Sequence, residues 1–468
     1  MARPVPAIRS LYVCQQCGAA SPKWAGQCPS CEAWNTLVET VVTRSSSSAA
    51  GRARTRGGAS NGGAAISAIG DVSSAEAARL ASGIGELDRV LGGGLVPGSI
   101  VLFGGDPGIG KSTLLLQLAA SLARVGSTAL YVSGEESSSQ VRGRAERVGA
   151  VVDGVGLVAT TDLATAIGAI EALAPALAVV DSVQTMVSAD LGGPGGSVGQ
   201  VREVATRLAE VAKAGATCVA LIGHVTKEGT VAGPRTLEHL VDAVIYLEGE
   251  RLGTTRLLRA AKNRFGSTDE VGVLEMRADG LVEVPDASRF FIESEQPPVA
   301  GTAITITLEG SRPLAVEIQA LVAPSGYGSP RRATTGIDVN RVLMLIAVLA
   351  RHAGLNLIGH DVYVNVAGGL RIEEPAADLA VAAALASSLR ERAVREGTVL
   401  AGELSLSGRL RPAARAERRM AEAARLGFTR MITGPERGGS TVRRHPEGSE
   451  TVAAVDLREA LRLALIED

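Results

Sequence analysis

From about Leu80 onward, short apolar runs alternate with longer amphipathic stretches. Ser99 to Phe103, Ala129 to Val132, Leu177 to Val180 and Thr217 to Ile222 read as strands buried on both faces. Ser112 to Arg124 and Val201 to Ala214 carry helical periodicity between them. Such alternation predicts an α/β domain, a mainly parallel sheet covered by helices. Val241 to Leu247, Thr254 to Ala260 and Glu270 to Arg277 follow as strands on short turns, so hairpins should complete the sheet. Beyond Pro285 the pattern becomes α+β, with strands at Ala303 to Leu308 and Ala315 to Val322 and helices at Asn340 to His352 and Ala376 to Arg390. Ahead of Leu80 lie a cysteine cluster and then a run rich in Ser, Gly, Ala and Arg, Ser45 to Gly63, which reads as a tether. The expected organisation is therefore a small module over 1–40, a linker over 41–79, an α/β domain over 80–285 and an α+β domain over 286–468.

Composition narrows this picture in three ways. At 468 residues the chain exceeds one compact domain. Aromatic residues are only 3% of a chain that is 46% hydrophobic, so the cores must be built from Ala, Val, Leu and Ile. A formal net charge of −2 supplies no global field for nucleic acid, which leaves any DNA affinity to local basic patches. No run approaches the ~18 apolar residues of a membrane span, and the N-terminus lacks a signal-like core, so the reading is cytoplasmic.

Cys14-x-x-Cys17 and Cys28-x-x-Cys31, with ten residues between the pairs, set four soft thiolates on two tight knuckles. That is the donor set of a tetrahedral zinc, and with no position left for water the metal is expected to be structural. Trp24 and Trp34 are expected to cover so small a core. Cys218, inside an apolar run, reads as a buried core thiol.

Gly105, Asp106, Pro107, Gly108, Ile109, Gly110, Lys111, Ser112 and Thr113 match G-x-x-x-x-G-K-[ST], with an apolar strand before and an amphipathic helix after. The glycines let backbone N–H groups face phosphate, Lys111 reaches the β- and γ-phosphates of ATP, and the Ser112 hydroxyl ligates Mg²⁺. Thr113 is expected to help position the nucleotide. Asp181, ending the run from Leu177, is suited to hold the magnesium through water. Glu135 and Glu136 follow a strand at the same edge, and Glu135 is the favoured residue to polarise the attacking water.

Several stretches now converge on a family. Ser82-Gly-Ile-Gly-Glu-Leu-Asp-Arg-Val-Leu-Gly-Gly-Gly-Leu-Val-Pro-Gly98, the phosphate loop, Tyr131-Val-Ser-Gly-Glu-Glu-Ser137 and Lys262-Asn-Arg-Phe-Gly266 resemble the bacterial RadA (Sms) DNA-repair ATPases. The order of cysteine module, RecA-like ATPase and Lon-like domain matches as well. The resemblance implies a homo-hexameric ring around DNA, with ATP between subunits and Lys262 and Arg264 as the cations a neighbour would supply. It also implies DNA loops at Ser188 to Gln200 and His224 to Thr236, with Lys227 and Arg235 as tentative contacts. His224 is either a γ-phosphate sensor or structural. The implied activity is DNA-stimulated ATP hydrolysis that drives branch migration or unwinding of single-stranded and branched DNA intermediates together with RecA.

Two other functions compete. The C-terminal segments Glu374-Pro-Ala-Ala-Asp378 and Gly402-Glu-Leu-Ser-Leu-Ser-Gly-Arg-Leu-Arg-Pro412 resemble the Lon protease domain, which uses a Ser nucleophile and a Lys. Here Ala376 stands where that serine belongs, Glu417 stands where the lysine belongs, and no lysine follows Lys262. Neither residue can perform acyl transfer, which argues against an ATP-dependent protease. The other rival is a RecA-like signalling ATPase or kinase of the KaiC type without a DNA role. Arg409, Arg411, Arg415, Arg418 and Arg419 form a basic run, partly on a helix from near Ala413, that is a candidate phosphate-backbone contact or an exposed face pairing with Glu417 and Glu422.

Overall fold

The computed structural model describes residues 9–14, 20–21, 23–29, 34, 36–42, 79–223, 237–249, 253–292, 298–326, 329–436, 441–445 and 448–466. Two compact units divide the chain: 1–84, 91–245 and 261–265 form the first, and 85–90, 246–260 and 266–468 the second. Among the described residues no helix is long and apolar enough to cross a membrane.

The first unit opens with a small antiparallel sheet of β1 (Arg9–Cys14), β2 (Ala20–Ser21) and β3 (Leu37–Val42), in the order β2-β1-β3. Its core is the pair Cys14 and Cys28, packed with Tyr12 and Ala25. Trp24 and Trp34 do not cover it, being 59% and 70% exposed, contrary to expectation. An indole brings roughly 150–250 Å² to be covered, more than a core of two thiols with Tyr12 and Ala25 can bury.

The α/β part follows the apolar runs closely. β4 (Ile100–Gly104), β5 (Ala129–Ser133), β6 (Val155–Ala159), β7 (Leu177–Asp181) and β8 (Cys218–Ile222) are parallel neighbours in the order β4-β8-β7-β5-β6. All five residues of β4, β5, β7 and β8 are buried, as continuous apolar runs in a two-sided parallel sheet require. The edge strand β6 is only partly covered, and its alternating exposure hid it from the sequence pattern.

The helices include α1 (Gly85–Leu91), α2 (Lys111–Arg124), α3 (Ser138–Arg147), α4 (Leu163–Leu173) and α5 (Val198–Gly215). α2 and α5 bury their apolar faces, Leu114, Leu115, Leu118 and Leu122 in one and Val201, Val204, Ala205 and Leu208 in the other. α4 starts where the Asp162 carboxylate accepts from the Thr165 N–H, satisfying one of the free amides of its first turn. β9 (Ala243–Glu248) and β10 (Thr255–Asn263) cross from one unit to the other.

In the second unit, β10 pairs antiparallel with β11 (Val271–Arg277), as expected, and β11 with β12 (Gly280–Glu283), which the sequence pattern did not single out. A second sheet orders β13 (Thr302–Glu309), β14 (Arg312–Pro324), β15 (Arg332–Thr335) and β16 (His360–Val366) as β13-β14-β16-β15. The helix expected from Asn340 to His352 is α6 (Val339–Val348), continued as a π-turn over Leu349–Ala353. The helix expected from Ala376 begins as a 3-10 turn at Pro375–Ala377 and becomes α7 (Asp378–Arg390).

Ten consecutive residues of α7, Asp378 to Ser387, are buried. Its Ala-rich circumference lets other elements close in on every side, which a one-sided amphipathic helix would not allow. The unit ends with the parallel strands β17 (Thr398–Leu400), β20 (Arg430–Thr433) and β22 (Glu450–Ala453), edged by β21 (Val442–Arg444), and a hairpin of β18 (Gly402–Leu404) and β19 (Leu410–Pro412). Helices α8 (Ala416–Arg425) and α9 (Leu457–Ala464) complete it.

Candidate nucleotide site and zinc ribbon

β4 runs into the loop 105–110, where Gly105, Gly108 and Gly110 take φ values of 145°, 78° and 115°. Those left-handed conformations are open to glycine at little steric cost and turn the loop toward the start of α2. Gly110 caps α2 without a side chain, so the helix's positive end faces the loop unobstructed. Lys111 is 4% exposed, and its Nζ donates to the carbonyls of Gly105 at 2.8 Å and Asp106 at 3.0 Å. Burial lowers its pKa, while Asp181, Glu135 and Asp106 oppose that shift. Three carboxylates therefore share the electrostatic surroundings of one ammonium.

Asp181 ends β7 and is 5% exposed. Its Oδ2 accepts from the Tyr131 hydroxyl at 2.6 Å, and its Oδ1 has no hydrogen-bond partner among the described residues. A buried carboxylate oxygen left without a donor suits a hydrated cation, the partner expected of an acidic residue beside a phosphate loop. Ser112 lies in the first turn of α2; burial and Asp181 raise the pKa of Tyr131, and the Ser112 hydroxyl opposes that rise.

The two glutamates differ in their partners. Glu136 is tied into an ion pair with Arg144, whereas Glu135 is exposed and accepts from the Ser182 hydroxyl. Immediately before them is a close contact that the sequence did not reveal: a Cβ on Gly134 would come within 2.2 Å of Thr185 Oγ1.

Lys262 and Arg264 do not join this cluster within one chain. Lys262 Nζ donates to the carbonyls of Glu238 at 2.6 Å and Val241 at 2.8 Å, and its pKa is lowered by burial and then by Arg264. Arg264 is 57% exposed at its side chain and lies 3.2 Å from Asp242. The motif around them is anchored by Asn263, which donates to Leu91 O, and by Arg79, which donates to Phe265 O at 2.6 Å and also to Leu91 O. Arg79 stands at the edge of the linker-like stretch, where periodicity gave no signal for it.

The glycine-rich loop Ser188 to Gln200 is closed at its base. Gln200 is fully buried, accepts from Ser188 N–H at 2.8 Å and donates to Ser188 O at 3.1 Å. Lys227, Arg235 and His224 lie outside the described residues, as do Cys17 and Cys31. Cys14 and Cys28 are each 1% exposed and packed into one cluster, so the structure brings one thiol of each knuckle together. The soft, buried donor pair fits zinc. Cys218 is buried as expected, its thiol pKa pushed up to about 11 by desolvation.

In the second unit Ala376 is buried, and the exposed Glu417 pairs with Arg443 at 2.6 Å. The basic run is corrected at one member. Arg409, Arg411, Arg415 and Arg418 are exposed, with Arg411 3.2 Å from Glu403, but Arg419 is fully buried and ion-paired with Glu374. It lies on the buried face of α8 with Met420 and Ala423, in a helix that begins at Ala416 rather than near Ala413. Glu422 pairs with Arg425 rather than with the run.

Comparison with known proteins places these parts. Residues 12–39 match the rubredoxin metal binding domain, 69–230 an AAA domain, and 337–437 the ChlI subunit of Mg-chelatase. The chain is 45% identical to the DNA repair protein RadA of Bacillus subtilis strain 168 across 98% of its own length and 99% of that protein. It is 47% identical to the protein of that name from Pseudomonas aeruginosa, covering 97% of this chain and 98% of that one. A solved KaiC-like protein of Pyrococcus horikoshii aligns with 44% of the chain at 21% identity and a TM-score of 0.37. With a zinc ribbon, an ATPase domain and near full-length similarity at this level, the chain belongs to the RadA family of DNA repair proteins.

Proposed function

We propose that this protein is a DNA-stimulated ATPase that drives branch migration or unwinding of recombination intermediates, acting with RecA as a homo-hexameric ring. The observation that carries the ATPase part is the convergence of Lys111, Ser112, Asp181 and Glu135 at one edge of the parallel sheet. The DNA part rests on near full-length similarity to proteins named for DNA repair.

Lys111 exchanges its two carbonyl acceptors for β- and γ-phosphate oxygens when nucleotide enters, and the loop amides supply the remaining donors. Ser112 and the free Oδ1 of Asp181 hold Mg²⁺, the latter through water; the ion neutralises charge on the phosphates. Glu135, placed beside the loop and accepting from the Ser182 hydroxyl, orients the attacking water. Thr113 positions the nucleotide. Lys227 and Arg235 contact DNA. The Lon-like domain serves assembly and DNA contact, because Ala376 and Glu417 offer no nucleophile and no low-pKa amine.

Measuring phosphate release with and without single-stranded DNA tests this reading. A severalfold stimulation is expected, and absence of both stimulation and binding would favour a signalling ATPase of the KaiC type. Lys262 and Arg264 act from a neighbouring subunit, consistent with the exposure of Arg264 in the single chain. Mixing inactive Arg264→Ala with inactive Lys111→Ala protein should restore part of the activity, since mixed rings contain interfaces with both residues intact. Complete inactivity at every ratio would exclude a role across the interface.

A further inference from the structure

We infer that the Tyr131 hydroxyl is a positioning group that holds the Asp181 carboxylate in the arrangement that receives the metal. The inference rests on the magnesium reading above.

Tyr131 is the middle residue of β5, 1% exposed, in a sheet core made mostly of Val, Leu, Ile and Ala. Packing alone gives no reason for a hydroxyl there, since a phenylalanine fills the same space without a polar atom to satisfy. The hydroxyl is used: it lies 2.6 Å from Asp181 Oδ2.

Donor and acceptor counting gives this contact a direction. An ionised carboxylate only accepts, so the Tyr131 proton points at Asp181. Oδ2 is thereby occupied, while Oδ1 has no hydrogen-bond partner among the described residues. One phenol thus fixes which carboxylate oxygen stays open to the metal, as outer-shell partners do for metal ligands elsewhere.

Arg144 sets what happens without it. Its Nη1 is 4.0 Å from Asp181 Oδ2, and its other nitrogen already pairs with Glu136. With the hydroxyl removed, Asp181 keeps this cation as its nearest fixed partner and is free to turn either oxygen toward it. The carboxylate is then neutralised by the protein in place of the metal's water.

Tyr131→Phe tests the inference by nucleotide binding, read from a fluorescent ADP analogue titrated in EDTA and then at rising Mg²⁺. Affinity in EDTA should stay within about twofold of the parent, while the half-saturating Mg²⁺ rises by roughly 10-fold or more, the size seen when outer-shell partners of metal ligands are lost. Mn²⁺ binding followed by electron paramagnetic resonance should weaken in parallel, and circular dichroism should be unchanged. An unaltered Mg²⁺ dependence would overturn the inference. So would an equal loss with and without metal, since that marks a general packing defect. If parent protein binds the analogue equally well in EDTA and Mg²⁺, the magnesium reading itself is wrong and this inference goes with it.

Discussion

Lys111→Ala is expected to cut ATP turnover by at least ~10²–10³-fold, the effect of deleting one strong donor to a charged transition state. The protein should remain folded. Among the described residues the Lys111 ammonium donates to two carbonyls of its own loop, and burial already disfavours its charge. Removing it therefore relieves a desolvation penalty about as much as it loses contacts. Phosphate release at saturating ATP, with a thermal melt of the same sample, separates the two effects. Turnover near that of the parent would refute the assignment of the site.

The second large effect is on stability. Arg419→Ala should destabilise the C-terminal unit by about 3–5 kcal/mol, the range found when one partner of a buried ion pair is removed. Arg419 is fully buried, its guanidinium donating to Glu374 and to the carbonyls of Ile306 and Ala414. Glu374 also accepts from the Leu308 N–H at 2.8 Å and the Thr307 hydroxyl at 3.1 Å, which binds β13 to the segment before α7. Deleting the cation leaves a carboxylate among these donors and two carbonyls without theirs. Urea unfolding monitors the loss, and pairing Arg419→Met with Glu374→Gln should recover part of it. A change under 1 kcal/mol for Arg419→Ala would mean that water replaces the guanidinium without strain.

Much of the nucleotide site was legible because its determinants are local. A phosphate loop consists of consecutive residues, and the strand before it and helix after it are visible as an apolar run and an amphipathic stretch. Asp181 was found in the same way, as the polar residue that ends such a run. Residues recruited from a distance were invisible. Tyr131 is one residue of an apolar run, Arg79 the end of a linker and Gln200 the end of a glycine-rich loop, yet each is defined by what meets it across the fold.

Charge was the weakest guide. Five arginines in eleven residues suggested one exposed face, but Arg419 lies on the buried face of α8 with Met420 and Ala423. Likewise Glu135 and Glu136 are chemically identical neighbours, yet one meets the Ser182 hydroxyl and the other Arg144 from α3.

By itself, then, the amino-acid order determined the elements of the α/β core, the phosphate loop and the pairing of two cysteine knuckles, since each depends on residues close together in the chain. Tertiary structure decided which buried polar groups are satisfied and which are left open: Arg419 closed upon Glu374, Glu136 closed upon Arg144, and Oδ1 of Asp181 left free. The physical reason is that a buried polar group is governed by its partners, and here those partners come from other elements, 8 residues away for Glu136 and Arg144 and 45 for Glu374 and Arg419.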